Sequence, residues 1–227
     1  MTTVGKLSID DLSSGSLDIV LRNAGEGAPP NPLMVSKGQV TFDAEGNDNL
    51  NSPYFSRRLH FPGGASGPTI GRGYDMGGRT SDQVQTDLVN AGMSPDVASQ
   101  YAQGATLHGD KANQFVQDNR NVLPEMSREV QQKLFETVSY PKYETGAEAE
   151  YQRAIKNQPN APQWSDLDNK IKTVAVDFKY QQGQIYNSQM QEIIKNDPNS
   201  LANSILNDPR TSQYDKGRGR ANYLRNH

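Results

Sequence analysis

The feature that most constrains the fold is a change in sequence character at Gly77-Gly78. Ahead of it, the stretch from Ala28 to Ser56 is broken by prolines and glycines, and two extended runs, Arg57–Phe61 and Pro68–Tyr74, flank a Gly-rich turn. Beyond it, apolar residues recur at helical spacing to the C-terminus. We therefore expect an α+β fold that is mainly helical, with its β part confined to the N-terminal third of the chain.

The same patterns predict individual elements. One or two short helices are expected before Asn23-Ala24-Gly25-Glu26-Gly27, and Gln39–Phe42 is expected to form a short strand. Ser81 is predicted to cap one further helix and Ser94-Pro95 to start another. More helices are predicted around residues 112–116, 127–140, 147–155, 190–194 and 201–206. An apolar stripe from Trp164 to Phe178 keeps to one helix face and predicts a central core helix.

We interpret residues 1–227 as a single domain. In this interpretation residues 1–27 hold a leading helix, residues 28–78 form an irregular β lobe, and residues 79–227 form a larger helical lobe. The length is sufficient for one sizeable core shared by two lobes.

Composition excludes several classes of function. The chain has no cysteine, and its three histidines show no metal-ligand spacing, so neither a thiolate site nor a catalytic zinc is expected. We predict no metal and no cofactor. No apolar run is long enough to cross a membrane, so membrane insertion is not expected. The net charge of −3 argues against nucleic-acid binding, although a local basic patch is possible where Arg57, Arg58, Arg72 and Arg79 crowd together.

One glutamate suits glycoside hydrolysis, which needs two carboxyl groups at a cleft. One carboxyl must stay protonated to donate to the leaving oxygen, and the other stays ionised. Glu26 fits the first role because it follows a predicted helix that can bury its stem, and its flanking glycines let the backbone turn sharply. Partial burial would raise its pKa towards the working pH.

The motif Asn23–Gly27 followed by Gly67–Gly77, which reads GPTIGRGYDMG, resembles the pesticin-type branch of phage-type lysozymes. The resemblance implies a lysozyme-like fold and a muramidase that cleaves the β-1,4 bond between N-acetylmuramic acid and N-acetylglucosamine. It implies that Glu26 is the general acid, that Thr69 positions the attacking water, and that Asp75 is the second carboxylate.

Two later segments extend the resemblance. Val176–Gly183 matches the place where phage lysozymes end their central helix beside the cleft, and Asp215–Ala221 resembles their Arg-x-Arg-Ala segment. Together with the hairpin motif these segments imply substrate-binding residues, namely Arg72, Tyr74, Tyr180, Gln181 and Arg220.

The resemblance also suggests a biological setting. The implied partner is bacterial peptidoglycan, and a producer cell would need an inhibitor that plugs the cleft. Met1–Lys6 lacks the basic-then-apolar order of a secretory signal, so we expect delivery to the wall by a secretion system, by lysis or within a larger protein. An antibacterial effector, a bacteriocin and a phage lysin all fit.

Other interpretations stay open at this point. Asp75 could be a turn residue that caps the helix after Gly78, Thr69 could be a simple strand former, and Tyr180 could belong to the core. Residues 43–49 alternate acidic and amide side chains, but without the glycine and glutamate of a calcium loop we interpret them as a polar turn. The whole chain could also be a lytic transglycosylase, which uses one glutamate, or a binding module that grips peptidoglycan without cutting it.

Overall fold

The computed structural model describes residues 33–227, and it shows a mainly helical chain with one small sheet. The strands are β1 Thr69–Ile70 and β2 Tyr74–Asp75. The helices are α1 Gln39–Ala44, α2 Ser81–Asn90, α3 Pro95–Tyr101, α4 Gly109–Asn119, α5 Arg128–Leu134, α6 Tyr140–Ile155, α7 Asn169–Gln182, α8 Asn187–Ile194, α9 Pro198–Asn207, α10 Pro209–Arg218 and α11 Arg220–Asn226. Short 3-10 turns cover Ala102–Gly104 and Trp164–Asp166. The expected α+β, mainly helical class is confirmed. The predicted helices before Asn23 lie outside the described residues.

The segment expected to be a strand at Gln39–Phe42 is instead the helix α1, so that prediction was wrong. Its β-branched and aromatic residues favour a strand locally, but tertiary packing overrides so weak a preference. Val40 and Phe42 are buried, and the side chain of Gln39 donates to Asp43 Oδ1 at 2.9 Å, one helical turn ahead. The helix therefore extends as far as Ala44, and it brings Glu45 to its C-terminal end.

The predicted extended region is present in a shorter form. β1 and β2 pair antiparallel, with Thr69 opposite Asp75 and Ile70 opposite Tyr74. A tight turn, Gly71–Gly73, divides the run that we expected to be one strand. The first expected run contributes a single antiparallel bridge, between His60 and Thr69. The three segments thus form a narrow sheet that is widest at Thr69.

The predicted helices of the C-terminal region are confirmed, but the central helix begins only at Asn169. Trp164, the first residue of the predicted stripe, lies in the preceding 3-10 turn, and Leu167 is extended. Residues Ile171, Val174 and Phe178 of α7 are fully buried, and α7 packs against α1, α6, α9 and α11, as a central helix should. The expected helix over 127–140 is α5 continued by a π-helical turn at Phe135–Ser139. The basic end of the chain, for which no helix was predicted, forms α10 and α11.

Buried apolar residues form two clusters, one on each side of the junction between Leu134 and Phe135. The first joins the hairpin to α2–α5 through Ile70, Tyr74 and Leu134. The second joins α1 to α6–α11 and includes Phe42 and Phe135. Glu45 is therefore attached to one core and Asp75 to the other, so any cleft containing both lies between the two.

No helix within residues 33–227 has the length and apolar character needed to cross a membrane.

Candidate functional site

Three polar side chains lie in a row across the small sheet. Thr69 stands opposite Asp75 on one side and opposite His60 on the other. Directly opposed residues of antiparallel strands point to the same face, with Cβ atoms about 4.5–5.5 Å apart. His60, Thr69 and Asp75 therefore share one face of the sheet.

The carboxylate of Asp75 is held by the backbone of its own hairpin. Its Oδ1 accepts from the N–H of Gly77 at 2.7 Å, and its Oδ2 accepts from the N–H of Gly67 at 3.2 Å. Thr69 Oγ1 donates to the carbonyl of Gly67 at 3.2 Å. A carboxylate oxygen has two lone pairs, so each Asp75 oxygen keeps acceptor capacity for a water molecule.

Gly67 is placed so tightly that a side chain could not fit there. A Cβ added at this position would overlap Asp75 Oδ1 and the backbone of Gly77. The absence of a side chain at Gly67 therefore allows the backbone to reach the Asp75 carboxylate.

A second carboxyl group, Glu45, follows α1 directly and is about three-quarters buried, with 23% of its side chain exposed. Arg218 donates to its Oε1 through Nη1 at 2.9 Å and also through Nη2. Both bonds go to one oxygen, so Arg218 does not occupy Oε2. Burial raises the pKa of Glu45 above its ordinary value; Arg218 opposes this rise and the charge of Asp177 adds to it.

Arg218 is itself fixed by a buried network from three helices. Asp177 of α7 accepts through Oδ2 from Arg218 Nε at 3.1 Å and from Arg220 Nε at 2.5 Å. Arg220 also donates to Gln181 Oε1 at 2.7 Å. Asp177 and Arg220 are fully buried, so the position of the Glu45 carboxyl depends on contacts deep in the helical core.

Two tyrosines, Tyr143 and Tyr180, belong to the second buried cluster, and Tyr180 contacts the hairpin. Burial raises the pKa of Tyr143; the charge of Glu45 raises it further, Arg79 lowers it, and Asp75 raises it. The ring of Tyr143 packs on that of Tyr180 with centroids 4.0 Å apart, and Tyr180 OH donates to the carbonyl of Arg72 at 2.7 Å.

Gly73 lets the hairpin meet these tyrosines. It lies at φ +81°, in the left-handed region that favours glycine, and a Cβ there would collide with the ring and hydroxyl of Tyr180.

Next to Tyr143, burial and the nearby charge of Arg79 lower the pKa of Lys142, while Asp75 raises it. The surroundings of Asp75 thus include two cations from different elements.

Several residues expected to bind substrate lie in the interior. Arg72 is 5% exposed, donates to the carbonyl of Phe42 at 2.5 Å, and lies 3.4 Å from Asp48 Oδ2. Tyr74 is fully buried, and its OH donates to Asp87 at 2.7 Å. Together with the buried Tyr180 and Arg220, these side chains hold elements to one another. Gln181, which is half-buried, accepts from Arg220.

The four clustered arginines each have a carboxylate partner. The pairs are Arg57–Asp48, Arg58–Glu125, Arg72–Asp48 and Arg79–Asp87. Much of the positive charge read from the sequence is therefore neutralised within the fold. The polar turn expected over residues 43–49 contributes Asp48, a buried acceptor for two of these arginines.

A pocket of about 350 Å³ opens beside Glu45. Its lining exposes more polar than apolar surface and includes the basic residues His60 and Arg120. The residues that line it are Ala44, Glu45, Gly46, Pro53, Tyr54, Phe55, Ser56, His60, Phe61, Pro62 and Arg120. Of the three residues in the row on the sheet, His60 lines this pocket, and Thr69 and Asp75 are not among its lining residues.

Glu26 lies outside the described residues, so its surroundings are not part of this geometry. The residue that the structure adds is Glu45, which sequence reasoning missed. One signal could have found it: Ala44-Glu45-Gly46 repeats the glutamate–glycine ending of Gly25-Glu26-Gly27, again ahead of the hairpin. Tyr143 has no comparable signal.

Within residues 33–227, no group of three His, Cys, Asp or Glu side chains is arranged to hold a metal ion.

Comparison with known families gives one match. The sequence model of a family described as a domain of unknown function (DUF8812) matches residues 38–216. The matched stretch contains Glu45, Thr69, Asp75 and Asp177, and Glu26 precedes it. No curated protein matches the chain.

Proposed function

The chain belongs to the DUF8812 family, and we propose that it is a lysozyme-like muramidase that cleaves the glycan strands of bacterial peptidoglycan. The observation that supports the proposal is a pair of candidate carboxyl groups: Glu45, largely buried and held through one oxygen by Arg218, and Asp75, which stands opposite Thr69 on the small sheet. The resemblance of Gly67–Gly77 to the pesticin-type hairpin motif supplies the substrate class.

Glu45 is the proton donor in this proposal. A general acid must be protonated at the working pH, and burial favours the neutral form of a carboxyl group. Arg218 holds Oε1 only, so Oε2 is available to carry the proton towards the leaving glycosidic oxygen. The charge of Arg218 lowers the pKa of Glu45 and that of Asp177 raises it, while the two hydrogen bonds from Arg218 hold the carboxyl in place.

Asp75 and Thr69 hold the attacking water molecule in this proposal. The Asp75 oxygens each have a lone pair left after their backbone bonds, and the Thr69 hydroxyl has two. A water molecule held between them would attack the anomeric carbon on the face opposite Glu45. This arrangement leads to inversion, which requires carboxyl groups about 6.5–9.5 Å apart.

Two glutamates, Glu26 and Glu45, are candidates for the proton donor. Glu26 suits the role by sequence and lies outside the described residues; Glu45 is largely buried, is paired with Arg218 and has a raised pKa. The family match begins at residue 38, so it includes only the second candidate. We therefore assign the role to Glu45 and use Glu26→Gln as the matched control.

The experiment is digestion of purified peptidoglycan by the wild-type chain, Glu45→Gln and Glu26→Gln, with folding checked by circular dichroism. Removing a general acid lowers the rate by about 10²–10⁴-fold. We expect that loss for Glu45→Gln, with Glu26→Gln close to wild type. The reverse pattern would return the role to Glu26, and no release of soluble products by wild type would reject the hydrolase.

A second candidate function is lytic transglycosylation. It is favoured by the two backbone bonds on Asp75, which give this carboxylate a structural role that needs no chemistry. Such an enzyme uses one glutamate and leaves anhydro ends on the glycan. Mass spectrometry separates the two reactions, because a hydrolase product is heavier by one water molecule. Full activity of Asp75→Asn together with anhydro ends would establish the second reaction.

The setting follows from the substrate. We propose that the protein acts at the bacterial wall as an antibacterial effector, a bacteriocin or a phage lysin. A secretion system, lysis or fusion to a larger protein would bring it there. An inhibitor that enters the cleft would protect a producing cell.

A further inference from the structure

The pocket beside Glu45 has the properties of a ligand subsite. Its volume of about 350 Å³ falls in the range of small-molecule sites, and its lining combines polar surface with aromatic side chains. Phe55 forms a buried part of the wall, and Tyr54 lies largely exposed at 74%. The pocket can therefore hold a sugar substituent against an aromatic surface.

Of the two basic members of the pocket, His60 belongs to the fold, since its backbone pairs with Thr69 and its Nδ1 lies 3.1 Å from the carbonyl oxygen of Arg58. Within residues 33–227, Arg120 makes no ion pair, in contrast to the arginines of the 57–79 stretch. It is exposed at the end of α4, and its charge acts on His60 across the pocket. A free guanidinium beside an aromatic wall suits a carboxylate, which it can bind through two parallel hydrogen bonds.

Glu45 lies in the same pocket, and a negative charge there would oppose an anionic ligand. Arg218 donates twice to Oε1 of Glu45, so this charge already has a partner within the fold. The pairing reduces the repulsion that Glu45 exerts on an anion in the pocket.

We propose that this pocket binds the carboxylate-bearing substituent of the N-acetylmuramic acid ring, with Arg120 as the residue that recognises it. The inference rests on the proposed function and adds substrate discrimination to it. Alternate sugars of the wall glycan carry this substituent, whereas chitin is uncharged throughout. Its carboxylate comes either from the lactyl group itself or from a stem peptide attached to it.

The test is a binding measurement, so it does not depend on turnover. Glu45→Gln serves as the background that does not cleave, and it is compared with Glu45→Gln/Arg120→Gln by isothermal titration. Three probes separate the sources: wall oligosaccharide with stem peptides, the same glycan stripped of peptides, and chitin oligosaccharide. Arg153→Gln in the same background is the control, because it removes the same charge from an exposed site that lines a different pocket.

We expect Arg120→Gln to weaken binding of the wall glycans about fivefold to tenfold and to leave the affinity for chitin oligosaccharide unchanged. The control Arg153→Gln should leave the affinity for all three probes unchanged. Loss confined to the peptide-bearing probe assigns the stem carboxylates, and loss with both wall probes assigns the lactyl group. Equal affinity of both proteins for wall glycan would overturn the subsite and leave the muramidase intact. Failure of every probe to bind would reject the proposed function itself.

Discussion

Removal of the buried charge at Asp177 should cost more stability than any other single ion-pair change in the described part of the chain. Asp177 is fully buried, and its Oδ2 accepts from both Arg218 and Arg220, the second of which is also fully buried. Taking away one partner of such a pair leaves an uncompensated charge in the core, which costs about 3–5 kcal/mol. Asp177→Asn keeps an oxygen that can accept, so we expect the lower end, about 3 kcal/mol.

The assay is urea unfolding followed by circular dichroism, with Glu144→Gln as the control. Glu144 pairs with Lys37 at the surface, and such pairs contribute about 0–1 kcal/mol. For a chain of this length, 3 kcal/mol corresponds to a fall in the melting temperature of about 6–12 °C. A loss below about 1 kcal/mol for Asp177→Asn would refute the reasoning, because the buried arginines would then not depend on this carboxylate.

Two further predictions concern the candidate site. Gly67→Ala should lower both stability and activity, because its Cβ would overlap the Asp75 carboxylate. Gly78→Ala is the control and should change neither, because a Cβ there meets nothing within 4 Å. Thermal melting measures the stability, and glycan release measures the activity. Arg218→Gln should move the alkaline limb of kcat/KM to higher pH, since this arginine lowers the pKa of Glu45 and only the protonated carboxyl donates. An alkaline limb that stayed in place or moved to lower pH would contradict the assignment of the acid.

The parts of the fold that were predictable depend on local patterns. The stripe from Trp164 to Phe178 predicted the central helix because core burial and helical period coincide over a long segment. Residues 39–42 were misassigned because four residues give no period, and their strand preference lost to the burial of Phe42. α9 and α10 show a start signal that could have been used, since Asp197 and Asp208 each cap a helix that begins with proline.

The candidate site was less predictable because its contacts are remote in sequence. The bond between Arg218 and Glu45 spans 173 residues, and no local pattern reports it. Arg72 looked like a substrate ligand because it lies in the hairpin motif, but it pairs with Asp48, 24 residues away. The hairpin pairing of Thr69 with Asp75 was readable, because six residues and a glycine turn set the register.

The most direct test of the central claim is the mass spectrum of the soluble products that wild type, Glu45→Gln and Glu26→Gln release from purified peptidoglycan. We predict disaccharide peptides with a reducing N-acetylmuramic acid end from wild type and from Glu26→Gln, and at least a hundredfold less from a folded Glu45→Gln. Undiminished release by Glu45→Gln would contradict the account, because the buried carboxyl would then take no part in the cleavage.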